Sequence, residues 1–141
     1  MIRICQKTIS TIKSSTGFIR SPEEGLNIVQ NLISDSDREH FIVIALNTKN
    51  QPTSMEIAHI GSLNTCVVHP REIFKSAILS NAACIFLAHN HPSQNTSPST
   101  EDITMTKRLV EAGNLLGIEV IDHIIVNNND EYFSMKENHY I

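Results

Sequence analysis

What most constrains the fold of this chain is the order of two apolar runs and the helix between them. Ala83-Cys84-Ile85-Phe86-Leu87-Ala88 reads as a short buried strand, and the apolar residues of 118–126 read as another. Between them Ser99 is an N-cap, Met105, Leu109, Ala112 and Leu116 recur at helical spacing, and Gly117 marks the helix end. Strands joined by a crossover helix lie parallel in one sheet, because an antiparallel pair needs only a tight turn.

The rest of the chain fits around that unit. Ser21-Pro22-Glu23-Glu24 combines an N-cap, a proline at the first helical position and an acid three residues after the cap. Leu26, Val29, Leu32 and Ile33 then form one stripe, which predicts a helix over Pro22–Ile33. Phe41-Ile42-Val43-Ile44-Ala45-Leu46 is a central strand closed by the turn Asn47-Thr48-Lys49-Asn50, and residues 54–60 return antiparallel as its hairpin partner. Gly61-Ser62-Leu63-Asn64 breaks that strand. Pro70 opens a second helix with Ile73, Phe74, Ala77 and Ile78 on one face, ending near Ser80-Asn81. After the Ile118 strand, Asn127-Asn128-Asn129-Asp130 turns into a last short strand around Tyr132-Phe133. The expected order is α, β, β, α, β, α, β, β: an α/β domain with a mixed sheet and helices on both faces. Residues 1–20 alternate weakly and read as an edge strand or an N-terminal arm preceding a domain over 21–141.

Composition narrows the function. A chain of 141 residues fits one domain with a real core, and a net charge of −4 supplies no global attraction for a phosphate backbone. DNA binding would then need a local basic patch. Cys5, Cys66 and Cys84 are odd in number and lack CxxC spacing, so free thiols in a reducing cytoplasm are expected. No apolar stretch approaches the roughly twenty residues of a membrane span, and Met1-Ile2-Arg3-Ile4-Cys5-Gln6-Lys7 has no signal-peptide core. The reading is a cytoplasmic protein with no membrane partner.

The chemistry is concentrated where the Ala83 strand ends. His89 and His91 stand two residues apart and leave the same side of an extended chain, while Asp102 falls in the first turn of the following helix. A lone His-x-His is commonly a loop, and Ser-x-x-Asp is commonly just a helix cap. Joined after a buried strand, His89, His91 and Asp102 form a ligand set for Zn²⁺ that leaves one position open for water. Ser99 caps the helix with one lone pair, and its hydroxyl hydrogen is expected to stay free to stabilise a developing oxyanion.

This pattern resembles the JAB/MPN metalloprotease superfamily, whose motif is a glutamate on an early strand, then His-x-His, seven residues, Ser, two residues and Asp. Glu39, His89, His91, Ser99 and Asp102 match it without a gap. Within the superfamily the chain is similar to the RadC family in its Glu39-His40-Phe41, Pro70-Arg71-Glu72, His89-Asn90-His91-Pro92-Ser93, Pro98-Ser99, Asp102 and Asp122-His123-Ile124-Ile125 segments. The resemblance implies a three-layer MPN/JAB domain with a cytidine-deaminase-like outline. It implies a zinc-dependent hydrolase that cleaves peptide or isopeptide amide bonds with a metal-bound water activated by Glu39, with Ser99 assisting and a peptide or protein as substrate. The alternative from the same resemblance is a metal-bearing accessory module in DNA repair or mobile-element biology without turnover.

Two departures from the family pattern stand out. Gln94 occupies a position where the family usually has glycine, so an altered metal loop or substrate access is expected. Longer members carry an N-terminal helix-hairpin-helix segment linked to DNA, whereas about twenty residues precede the domain in this sequence. Asp122 and His123 are open between orienting a metal-bound imidazole and being satisfied strand residues. Ser93 is open between lining the site and making a turn, and His59, His69 and His139, with no ligand-like neighbours in sequence, read as surface or structural residues. An HNH nuclease needs its histidines far apart, and a zinc deaminase needs His-x-Glu with Cys-x-x-Cys; neither pattern is present.

Overall fold

The structure, a computed structural model, describes residues 17–33, 36–61 and 68–141. Residues 1–16 of the arm or edge strand expected over 1–20, the thiols Cys5 and Cys66, and the strand break at Ser62-Leu63-Asn64 lie outside the described residues.

The elements are α1 (Pro22–Ile33), β1 (His40–Leu46), β2 (Pro52–Ile60), α2 (Pro70–Leu79), β3 (Cys84–Asn90), α3 (Thr100–Leu116), β4 (Glu119–Val126) and β5 (Tyr132–Ser134). They form a five-stranded sheet in the order β2-β1-β3-β4-β5. β3 and β4 run parallel through the α3 crossover, and every other neighbouring pair is antiparallel. The mixed α/β architecture predicted from the sequence is the one observed.

Strand alternation divides the core into two layers. Ile42, Ile44, Leu46, Phe86, Ala88, Ile124 and Val126 pack against Leu26, Val29 and Ile33 of α1. Phe41, Val43, Ala45, Ile85 and Leu87 pack against Ile73, Phe74 and Ala77 of α2 and Met105 and Leu109 of α3. α1 lies close on the sheet because Gly25 has no side chain: a Cβ there would fall 2.2 Å from the Phe86 ring. Gly117 ends α3 at φ 71, the left-handed cap expected of it. Ile78 and Leu116, expected on buried stripes, are 57% and 48% exposed. They sit at the margin of those stripes and line a shallow apolar groove with Phe74. Cys84 is buried and free, and burial pushes its thiol up from the ordinary value. Among the described residues no helix is long and apolar enough to cross a membrane.

One irregularity decides what faces the site. β4 pairs Val120 with Ile85 but Asp122 with Phe86, so Ile121 is an extra residue. Val120 lies in the α2/α3 layer, and strict alternation would put Asp122 there too. The bulge reverses the phase, so Asp122 pairs with Phe86 of the α1 layer and His123 with Leu87 of the other.

Candidate metal centre

β3 carries its apolar alternation to Ala88 and then presents His89 on the α2/α3 face and Asn90 on the α1 face, both buried. His91 follows in the loop. Ser99 caps α3 through a complete capping box: its Oγ accepts the Asp102 N–H, and Asp102 Oδ2 accepts the Ser99 N–H at 2.8 Å. This cap fixes Asp102 in the first turn of α3, directly beside the two imidazoles.

The resulting cluster is tight. His89 Nε2 lies 3.0 Å from His91 Nε2 and 3.3 Å from Asp102 Oδ1, and His91 Nε2 lies 3.4 Å from Asp102 Oδ2. Four-coordinate zinc with bonds of about 2.0–2.1 Å sets its ligand atoms about 3.3 Å apart, so these edges fit such an ion. The tautomers fit as well. His91 Nδ1 is 2.7 Å from the Asn95 carbonyl, which only accepts, so the proton sits on Nδ1 and the Nε2 lone pair faces the cluster. His89, His91 and Asp102 thus form a group able to hold a metal ion.

Burial pushes the Asp102 carboxyl up, but His89, His91 and the Ser99 hydroxyl beside it outweigh that and hold it far below the usual carboxylate range. It is an anion at any working pH. Asp102 in turn raises His91 against its own burial. His89 is lowered by burial, with Asp102 opposing. His123 is lowered well below the ordinary value by burial and by the neighbouring His89, and a neutral imidazole is the state that accepts a hydrogen bond or a metal.

Glu39 stands one residue before β1. Phe41 pairs antiparallel with His89, so continuing the ladder brings Glu39 alongside His91. Its charge acts on both imidazoles, raising each. Asn90 holds the backbone on either side of it: Asn90 Oδ1 accepts the His40 N–H at 2.7 Å, and Asn90 Nδ2 donates to the Arg38 carbonyl at 2.9 Å. A surface cavity of about 410 Å³, lined by Asp37, Arg38, Glu39, Gly61 and Pro92, opens there.

Ser99 departs from expectation in one respect. Its hydroxyl hydrogen is given to Asp102 Oδ2 at 2.6 Å, so the hydroxyl holds the carboxylate as well as capping the helix. Asp122 is turned away from the cluster, accepting the His123 and Lys136 N–H groups on Oδ1 and the Ser134 hydroxyl on Oδ2. Ser93 is an exposed turn residue whose Oγ accepts the Asn95 N–H. His123 is brought in, with Nε2 2.7 Å from His89 Nδ1, and Thr106 stands behind it. Thr106 escaped the sequence reading, although it lies one turn after Asp102 and so shares its helix face. Gln94 keeps the left-handed conformation that suits glycine, at φ 66. Its carbonyl accepts from Asn127 Nδ2 at 3.0 Å, and its Oε1 accepts the Asn128 N–H at 2.8 Å, tying the metal loop to the β4–β5 turn.

A layered α/β domain with a histidine at the end of a central strand, a second in the loop that follows and an aspartate from the next helix defines a class of protein with a candidate metal site. A family model described as a RadC-like JAB domain matches residues 19–140. The chain is 52% identical over 119 residues to a UPF0758 protein of Desulforamulus reducens, covering 84% of this chain and 52% of that one. It is 49% identical over 122 residues to a UPF0758 protein of Caldanaerobacter subterraneus, covering 86% and 52%. It is 47% identical over 123 residues to the UPF0758 protein YsxA of Bacillus subtilis, covering 87% and 53%. The chain spans about half the length of these curated relatives. It belongs to the RadC-like JAB domain family.

Proposed function

We propose that this domain is a zinc-dependent hydrolase acting on peptide or isopeptide amide bonds. The observation that carries the reading is the His89, His91 and Asp102 group at one strand end, with the β1–β3 register placing Glu39 alongside it. His89, His91 and Asp102 hold the metal. A divalent metal held there supplies Lewis acidity, which makes water nucleophilic near neutral pH and polarises a carbonyl. Glu39 is the general base: it takes a proton from the attacking water and passes it to the leaving amine. Asn90 fixes the backbone on both sides of that carboxylate. The cavity beside Glu39 and Pro92 admits the substrate, and Ser99 keeps the Asp102 carboxylate aimed.

The test is metal content and cleavage measured together, on a panel of peptide, isopeptide and nucleic-acid substrates. His89→Ala and Asp102→Ala should lose zinc. Glu39→Ala should keep zinc and lose cleavage. Full cleavage by Glu39→Ala would sink the assignment of the base, and equal zinc in wild type and both ligand variants would sink the site. Salt-sensitive DNA binding with no cleavage of any class would instead favour an accessory module.

A further inference from the structure

We propose that Thr106 and His123 are positioning residues that set the tautomer of His89, aiming its Nε2 lone pair at the metal through a hydrogen-bond chain ending on the backbone of Asp102. The inference rests on the metal-binding part of the proposed function and adds two residues to it.

The chain is short and wholly inside the protein. Thr106 Oγ1 donates to the Asp102 carbonyl at 2.6 Å, and lies 2.6 Å from His123 Nδ1. His123 Nε2 lies 2.7 Å from His89 Nδ1. Thr106, His123 and His89 are each 0% exposed, so no solvent competes along the path. Phe41 packs on both rings, stacked on His89 and edge-on to His123, which limits their rotation.

The hydrogens follow from each end. A carbonyl only accepts, so the single hydroxyl hydrogen of Thr106 is committed to Asp102, and Thr106 Oγ1 must accept from His123. His123 therefore carries its proton on Nδ1. From the other end, a nitrogen that ligates a metal must keep its lone pair, so His89 carries its proton on Nδ1 and donates it to His123. His123 Nε2 must then be bare. The two requirements meet on one imidazole and agree: a neutral His123 protonated only at Nδ1 satisfies both.

The hydroxyl is the deciding group. Without it, His123 is free to reverse, donating from Nε2–H to His89 Nδ1 and moving the His89 proton to Nε2, where the metal belongs. The Ile121 bulge is what makes the contact exist, because it turns His123 toward His89. Thr106 sits on the helix whose first turn supplies Asp102, so one element positions one ligand directly and a second through His123.

Thr106→Val, nearly isosteric, and Thr106→Ser, which keeps the hydroxyl, separate this role from packing. Zinc affinity, measured by competition with a chromogenic chelator, should fall about 10–100-fold in Thr106→Val. Thr106→Ser should restore it. In zinc-loaded wild type, ¹⁵N-resolved imidazole spectra should show His123 protonated at Nδ1 with Nε2 bare, a readout that needs neither a variant nor turnover. A zinc-loaded wild type with His123 protonated at Nε2 would overturn the proposal. So would a folded Thr106→Val that binds zinc as tightly as wild type, leaving the hydrolase reading intact. Wild type that holds no zinc overturns both together.

Discussion

The two faces of the central sheet are built by different rules. Toward α1 the strands are apolar except at Asn90 and Asp122, and α1 reaches them closely because Gly25 lies against Phe86. Toward α2 and α3 the same strands are apolar until His89 and His123, where buried imidazoles take over from hydrocarbon. Burying such groups is costly unless each polar atom is paired. On that face order depends on the closure of a hydrogen-bond chain, and on the α1 face it depends on close packing. One face secures the domain, and the other gathers at its edge a group able to hold a metal.

The largest effect expected from this division belongs to the α1 face. Phe86→Ala empties the space beneath Gly25 and should cost about 3–5 kcal/mol of stability, measured by denaturant unfolding in chelator. Zinc affinity of the folded protein should not change, because Phe86 faces away from His89. A drop in affinity comparable to that of a ligand variant would break the division between faces.

The apolar face was legible in the sequence because its signal is local. Runs such as Phe41-Ile42-Val43-Ile44-Ala45-Leu46 and the α1 stripe specify burial by composition and period alone. The candidate metal-binding group was legible too, since His89, His91 and Asp102 lie close together along the chain. What surrounds them was not. The face chosen by His123 depends on one extra residue in β4, and a bulge leaves no mark in periodicity. Asn90 clamps residues fifty positions upstream only because β1 lies antiparallel beside β3, a pairing that no local pattern states. Ile78 and Leu116 mark the opposite failure, a helical stripe that continues past the surface it packs on.

Asn90 sharpens the comparison because it belongs to the α1 face by alternation yet serves the site. Asn90→Ala leaves the Arg38 carbonyl and the His40 N–H without their partner. The expected loss is about 1–3 kcal/mol of stability, smaller than for Phe86→Ala. Zinc affinity should hold while cleavage falls, since the clamp's side-chain hydrogen bonds go to Arg38 and His40, on either side of Glu39. Loss of zinc in step with Thr106→Val would show that the clamp and the ligand chain are one device.

Gln94 gives the smallest effect and the finest test of how the metal loop is held. Its left-handed backbone costs a residue with a side chain about 1 kcal/mol relative to glycine, while its side chain returns a hydrogen bond to Asn128 worth a similar amount. The two contributions oppose each other, so Gln94→Gly should change stability by less than about 1 kcal/mol. Gln94→Ala keeps the strained backbone and loses the bond, and should be destabilised by about 1 kcal/mol. The gap between the two variants in thermal unfolding then isolates the backbone term, because neither retains the side-chain bond. Equal stability of Gln94→Gly and Gln94→Ala would mean that the left-handed geometry carries no cost here.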